Sequence, residues 1–150
     1  MKILIVSDSH GDTVLLKRVI EKHKNVDIVL HAGDSELPPY MLNDVLTVKG
    51  NCDYFDYPTF RNLHIEGHNI HIEHGNRIKI SDLMFLENND YDIVIFNAGV
   101  LDAGLAENIA NSSIDEMMEV NVASIMKLSK LIIPKMKEKK KGKLIFISSM

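Results

Sequence analysis

The sequence has one cysteine, Cys52, so no internal disulfide can form and a reducing compartment fits. It lacks any apolar run long enough to span a membrane. Met1 leads directly into a buried-type strand, with no charged segment and long apolar core of the kind a secretory signal has. The expectation is a cytoplasmic protein with no membrane partner. A basic excess is also lacking: 17 Lys and Arg stand against 21 Asp and Glu, a formal charge of −4. That argues against a nucleic-acid partner. The one basic run, Lys135 to Lys143, reads as the solvated end of a helix, where cations suit the dipole. No internal repeat is visible and, the lysines aside, no low-complexity segment. What is present is ordinary for one globular domain with a real core: 150 residues, 45% hydrophobic and 25% charged.

Short apolar runs punctuate the chain. Residues 2–7, 26–30 and 45–48 read as buried strands, each running into polar residues at its C-terminal end. A helix is expected from Thr13 to Lys24, with Asp12 or Thr13 as its cap. Phe60 to Ile65 and Asn69 to Glu73 read as two strands around Glu66-Gly67-His68, a hairpin signal. A helix follows over 78–86, and then the run Ile93-Val94-Ile95-Phe96, a strand buried on both faces. Leu101 to Asn111 reads as loop with a helical turn or two. A long helix is expected from Ile114 to about Lys139, kinked or divided at Pro134. A last strand covers 143–147. The fold class is α/β: a mostly parallel sheet flanked by helices, with a β-hairpin insertion around residues 60–73, in a single domain over 1–150.

Asp8, His10, Asp34, Asn51 and His74 all fall at C-terminal ends of strands, the edge where open α/β sheets bind ligands. Taken singly, each is an ordinary cap, turn or loop residue. Together they offer carboxylate, imidazole and amide oxygen, a set that suits Mn, Fe or Zn. His23, His64, His68 and His71 lack such placement and read as surface or hairpin histidines. His31, three residues before Asp34, reads as a packing or supporting residue.

The ordered set Asp8-x-His10, Gly33-Asp34, Gly50-Asn51-x-Asp53 and His74-Gly75 resembles calcineurin-like metallophosphoesterases, above all their small bacterial and archaeal phosphodiesterases. The resemblance covers residues 1 to about 96. It implies divalent metal ions, two in the complete site, and a small-molecule phosphoester substrate. It further implies that Asp8 and His10 hold one ion, Asp34 bridges, and Asn51 and His74 hold the second. Such a pair sits roughly 3.5–4 Å apart and activates water. Cys52 stands where many relatives carry a His that assists leaving-group protonation. One departure is large. That superfamily ends the strand equivalent to 91–96 in Gly-His-x-His, both histidines being ligands, whereas here the strand runs into Asn97-Ala98-Gly99. Each ion would lose a ligand, so any activity is expected to be weak.

From Asp92 onward the sequence resembles short-chain dehydrogenases/reductases. Asn97-Ala98-Gly99 matches that family's turn, Asn121-Val122 lies in its long helix, and Gly142 to Ser149 matches the strand ending at its catalytic Ser, aligned with Ser149. The Tyr-x-x-x-Lys pair this chemistry needs is not reached. The turn after the first strand, SDSHGDT, has Gly11 alone, and its Asp8 and Asp12 would repel a pyrophosphate. Asn97, Asn121 and Ser149 are therefore expected to be structural: a turn, a polar contact within a helix and a hydroxyl. The family switch is expected inside the strand at about 92–97. The function expected is weak metal-dependent phosphoester hydrolysis. The alternatives are a catalytically inactive chimeric scaffold and a dinucleotide-binding fragment.

Overall fold

The structure, a computed structural model, describes residues 1–75, 86, 89–97 and 99–147. Nearly all of the helix expected over 78–86, and Ser149, lie outside the described residues.

Strands β1 (Ile3–Val6), β2 (Ile28–His31) and β3 (Val45–Thr47) form a parallel three-stranded sheet in that order. Strands β4 (Phe60–Ile65), β5 (His68–Glu73), β6 (Ile93–Phe96) and β7 (Lys143–Phe146) form a second sheet in the order β4-β5-β6-β7. Among the described residues only the β4–β5 hairpin is antiparallel, while β6 pairs in parallel with both neighbours. The expected mostly parallel α/β architecture is there, divided over two sheets. The hairpin joins the parallel ladder through β5. Its turn is set by Glu66 (φ 47°) and Gly67 (φ 74°), two consecutive left-handed residues whose twist matches the flanking strands.

β6 is the axis of packing. Side chains alternate across a strand, so Val94 and Phe96 point to one face and Ile95 to the other. Val94 and Phe96 are buried against Leu128, Ile132 and Met136, with Leu86 and Tyr91. Ile95 is buried with Ile70 and Ile72 of its own sheet and with Leu30, Ala32 and Val48 from the first sheet segment. The two sheets thus share one core. A third cluster, Leu16, Leu37, Leu42 and Tyr57, lies beneath the first helix, α1 (Thr13–Lys22), on the other side of the β1–β3 sheet. Asp12 caps α1 by accepting the Leu15 N–H at 2.8 Å.

The C-terminal half differs from the sequence reading in one respect. Helix α2 (Asn111–Met118) passes through a π-helical segment (Glu119–Ala123) into α3 (Ser124–Glu138). The helix is not divided at Pro134, one of the two outcomes expected there, and runs on through it, while a π-helical irregularity sits at 119–123. Proline inside a helix costs about 3 kcal/mol. Ile132 and Met136, buried on either side of it, offset that cost. Asn121 lies in the π segment, and its carboxamide both accepts from the Val100 N–H and donates to the Val100 carbonyl, each at 2.9 Å.

Two further readings gain detail. The basic run is not simply solvated: Lys139 reaches Asp90 at 2.6 Å and Asp92 at 3.1 Å, and Lys141 reaches Asp92 at 3.1 Å. His71, read as a surface or hairpin histidine, lies in the hairpin strand β5 but away from the surface. It is 2% exposed and packs against Phe60, Tyr91 and Phe96, with ring centroids 5.7, 5.2 and 6.1 Å away. Among the described residues, no helix is long and apolar enough to cross a membrane.

Candidate metal centre

The loops that follow β1, β2, β3 and β5 converge at one edge of the two sheets. Backbone hydrogen bonds zip the first two loops together: Asp8 N–H to Gly33 O, His10 N–H to Asp34 O, and Gly11 N–H to Ser35 O, at 3.0, 3.1 and 2.9 Å. The loops turn sharply, and Asp8 (φ 53°), His10 (φ 41°) and Asp34 (φ 54°) all adopt left-handed backbone. Each such non-glycine residue costs on the order of 1 kcal/mol, a strain that clusters at functional sites. Two glycines make the close packing feasible. A Cβ on Gly50 would lie 2.0 Å from Asp34 Oδ1, and one on Gly33 would lie 2.5 Å from His74 Nδ1.

The five sequence-selected residues meet here. Ligand atoms of Asp8, Asp34 and His74 lie within 4.8 Å of one another, and so do those of His10, Asp34 and Cys52, so that Asp34 belongs to both groups. Asn51 Oδ1 is 3.1 Å from His74 Nε2, and Asp34 Oδ2 is 3.5 Å from it. His74 Nδ1 lies 2.8 Å from the Ala32 carbonyl, which can only accept, so Nδ1 carries the proton. Nε2 then presents a bare lone pair to two oxygen acceptors. Lone pairs of imidazole, carboxylate and amide facing one another form a place suited to a cation. With carboxylates, imidazoles and an amide oxygen to hand, these residues fit a divalent ion of the Mn, Fe or Zn type.

The surroundings orient these donors. Glu36, hydrogen-bonded to His10 Nδ1 at 2.6 Å, raises the imidazole's pKa and leaves Nε2 as the free ring nitrogen. Asp53 is a buried hub that accepts from the N–H groups of Asp34, Glu36 and Gly50 and from the Ser35 hydroxyl, at 2.9, 2.7, 2.8 and 3.0 Å. Burial alone would raise the Asp53 pKa, but these donors hold it below the ordinary carboxylate value. The Cys52 N–H donates to Asp34 Oδ1 at 2.8 Å. Burial and the Asp34 charge push the Cys52 thiol up. His31 is fully buried beside Ser9 Oγ, 3.0 Å from its Nε2, and burial lowers its pKa to about 4, so it stays neutral. Its reading as a supporting residue fits this placement.

Sequence reasoning did not assign Asp53, Glu36 or Asn97 to this centre. Asp53 had a signal, the spacing Gly50-Asn51-x-Asp53. Asn97 had only its place, the strand end where the superfamily keeps Gly-His-x-His; it was read as a turn, yet its Nδ2 lies 2.6 Å from Asp8 Oδ2.

Residues 1–96 match the family model described as the calcineurin-like phosphoesterase superfamily domain, and residues 81–150 match that of the short chain dehydrogenases. The chain belongs to the calcineurin-like phosphoesterase superfamily, and its C-terminal part resembles the short chain dehydrogenases, the two matches overlapping at residues 81–96, a pattern consistent with a chimera. Among curated proteins it is 44% identical over 57 residues to YsnB of Bacillus subtilis, named a probable metallophosphoesterase. That match takes in 36% of this chain and 34% of YsnB. Among solved structures, a conserved, uncharacterized Streptococcus pneumoniae protein described as a predicted phosphoesterase is 30% identical with a TM-score of 0.57, over 67% of this chain and 62% of that one. An archaeal phosphodiesterase, 22% identical with a TM-score of 0.51 over 69% of this chain and 78% of its own, shares the fold. The chain thus spans about a third of YsnB and less than two thirds of the streptococcal protein.

Proposed function

We propose that this chain is a divalent-metal-dependent phosphoesterase acting on a small phosphoester, with Asp8 and His10 holding one ion, Asp34 shared, and Asn51 and His74 holding a second. The observation that supports this best is the overlap of two donor groups on the single carboxylate of Asp34; those groups set Asp8 with His74 and His10 with Cys52, so they support Asp34 as the shared ligand, and the division of the remaining ligands follows the family resemblance. Bound divalent ions would supply a water activated for attack and positive charge for the phosphoryl oxygens. The chain's own residues do the rest. Ala32 O fixes the His74 tautomer so that Nε2 faces the site. Asp53 holds the Asp34 loop in place through the Asp34 and Gly50 N–H groups. Cys52, its pKa raised, keeps its proton at neutral pH and stands beside Asp34, where it can protonate a leaving oxygen only feebly. That weak acid, with Asn97 in place of imidazole ligands, keeps turnover slow.

We also infer that the chain is one domain whose change of family falls inside β6, at about 92–97. Dinucleotide binding is the poorer reading, because the carboxylate of Asp12 already occupies the N-terminus of α1.

The test is hydrolysis of bis(p-nitrophenyl) phosphate with and without Mn²⁺, by the wild-type chain and Asp34→Asn. The proposal expects Mn²⁺-dependent, chelator-sensitive turnover that Asp34→Asn loses. Turnover that is equal in both proteins would come from a contaminant, and none in either would leave the chain a scaffold.

A further inference from the structure

Asn97 is 5% exposed and follows β6, the strand both family matches contain. Its backbone N–H donates to the His74 carbonyl at 3.1 Å, which extends the β5–β6 pairing by one step. That step carries the side chain across to the end of β1 in the other sheet. There Nδ2 lies 2.6 Å from Asp8 Oδ2, and Oδ1 lies 3.0 Å from Ser7 Oγ. A carboxylate only accepts, so the end of the amide facing Asp8 must be the NH₂, and Oδ1 accepts the Ser7 hydroxyl proton. The 3.2 Å approach of Nδ2 to His74 Nδ1 is a packing contact, because that ring nitrogen already donates to Ala32 O.

The Asn97 carboxamide is therefore committed at both ends. Among the described residues, it makes the one side-chain hydrogen bond to the Asp8 carboxylate. Asp8 is exposed, and its backbone is held by the N–H bond to Gly33 O, so the rotation of its carboxylate rests on that one side-chain bond. A donor on one carboxylate oxygen fixes the rotation of the group and leaves the other oxygen free.

We propose that Asn97 is a positioning residue of the metal centre. Its amide holds Asp8 by Oδ2 so that the remaining oxygen faces Asp34 and His74, and Ser7 braces the amide. The dehydrogenase-type turn then contributes orientation to a site built on the phosphoesterase-type loops, without contributing a ligand. The inference rests on the metal reading above.

Mn²⁺ titration calorimetry on the full chain tests it, together with the visible spectrum of bound Co²⁺ and thermal melts with and without Mn²⁺. Asn97→Ala is expected to weaken Mn²⁺ binding about 10-fold, the size typical of losing a group that orients a ligand. Ser7→Ala, which removes only the brace, is expected to weaken it less. Asn97→Asp sets a second carboxylate against Asp8, so it should melt below wild type without metal and gain more than wild type when Mn²⁺ is added. Both Asn97 variants should alter the Co²⁺ absorption, which a merely structural role would leave unchanged. If wild type binds Mn²⁺ and both Asn97 variants bind it equally well with the wild-type Co²⁺ spectrum, the positioning role is wrong and the metal reading stands. If wild type itself binds no Mn²⁺, both are wrong.

Discussion

Asp92 stands at the mouth of β6 and ties the two family segments together. Its backbone N–H donates to Asn69 O at 2.7 Å, and its carbonyl accepts from Lys143 N–H at 2.8 Å. Its carboxylate, 10% exposed, accepts from Asn69 N–H at 3.1 Å and faces Lys139 and Lys141, each at 3.1 Å. Burial alone would raise its pKa, but Lys141, the Asn69 N–H and Lys139 outweigh that and bring it to about 2 from an ordinary 3.8. A carboxyl that takes its proton less readily in the folded state adds stability above its unfolded pKa and loses it as the pH falls through the folded value. The difference of roughly 1.8 units, at about 1.4 kcal/mol each, comes to about 2.5 kcal/mol at neutral pH. Lys139 and Lys141 are 22% and 47% exposed and can rehydrate when the charge is removed. Asp92→Asn should therefore cost about 2 kcal/mol at neutral pH, and little below about pH 2. Urea unfolding of both proteins across that range reads the difference directly. A gap that stays constant from neutral to acid pH would refute the argument, because it would show that the loss comes from shape and not from charge.

Two other substitutions probe the centre and the junction. Asp53→Asn leaves four donors around the Asp34 loop poorly matched and should cost about 3 kcal/mol in denaturant unfolding, with weaker Mn²⁺ binding. A loss under about 1 kcal/mol would mean Asp53 is no hub. Phe96→Ala removes a ring that is 1% exposed and stacked at 5.9 Å on Phe146 across the β6–β7 pair. It should cost about 3–5 kcal/mol if that packing is native-like, and a loss of about 1 kcal/mol or less would mark a loose junction.

Much of this was legible in the sequence, because strand ends punctuate themselves. The runs 2–7, 26–30 and 93–96 announce buried strands, and the polar residues after them have to lie at the sheet edge. Glu66-Gly67 announced its hairpin because consecutive left-handed residues suit few other structures. The division into two sheets was not legible, because Ile95 and Val94 look alike as letters. Only the partners across the core distinguish the face that meets Leu30 from the face that meets Leu128. The helix is not divided at Pro134 because local propensity was outweighed by the burial of Ile132 and Met136, a tertiary effect. Asn97 was invisible as a site residue because its role depends on register between strands 89 residues apart. The burial of His71 within its hairpin was not legible for the same reason: it comes from Tyr91 and Phe96, on and beside a strand that follows much later in the chain.

The claim beneath all of this is that the side chains of Asp8, His10, Asp34, Asn51 and His74 together hold divalent cations, with Asp34 common to both. Equilibrium dialysis of the purified chain against Mn²⁺, with metal content measured by mass spectrometry, tests it most directly. The account predicts at least one ion retained per wild-type chain and a clear fall in Asp34→Asn. Retention well below one ion per chain, or retention that Asp34→Asn leaves unchanged, would contradict it.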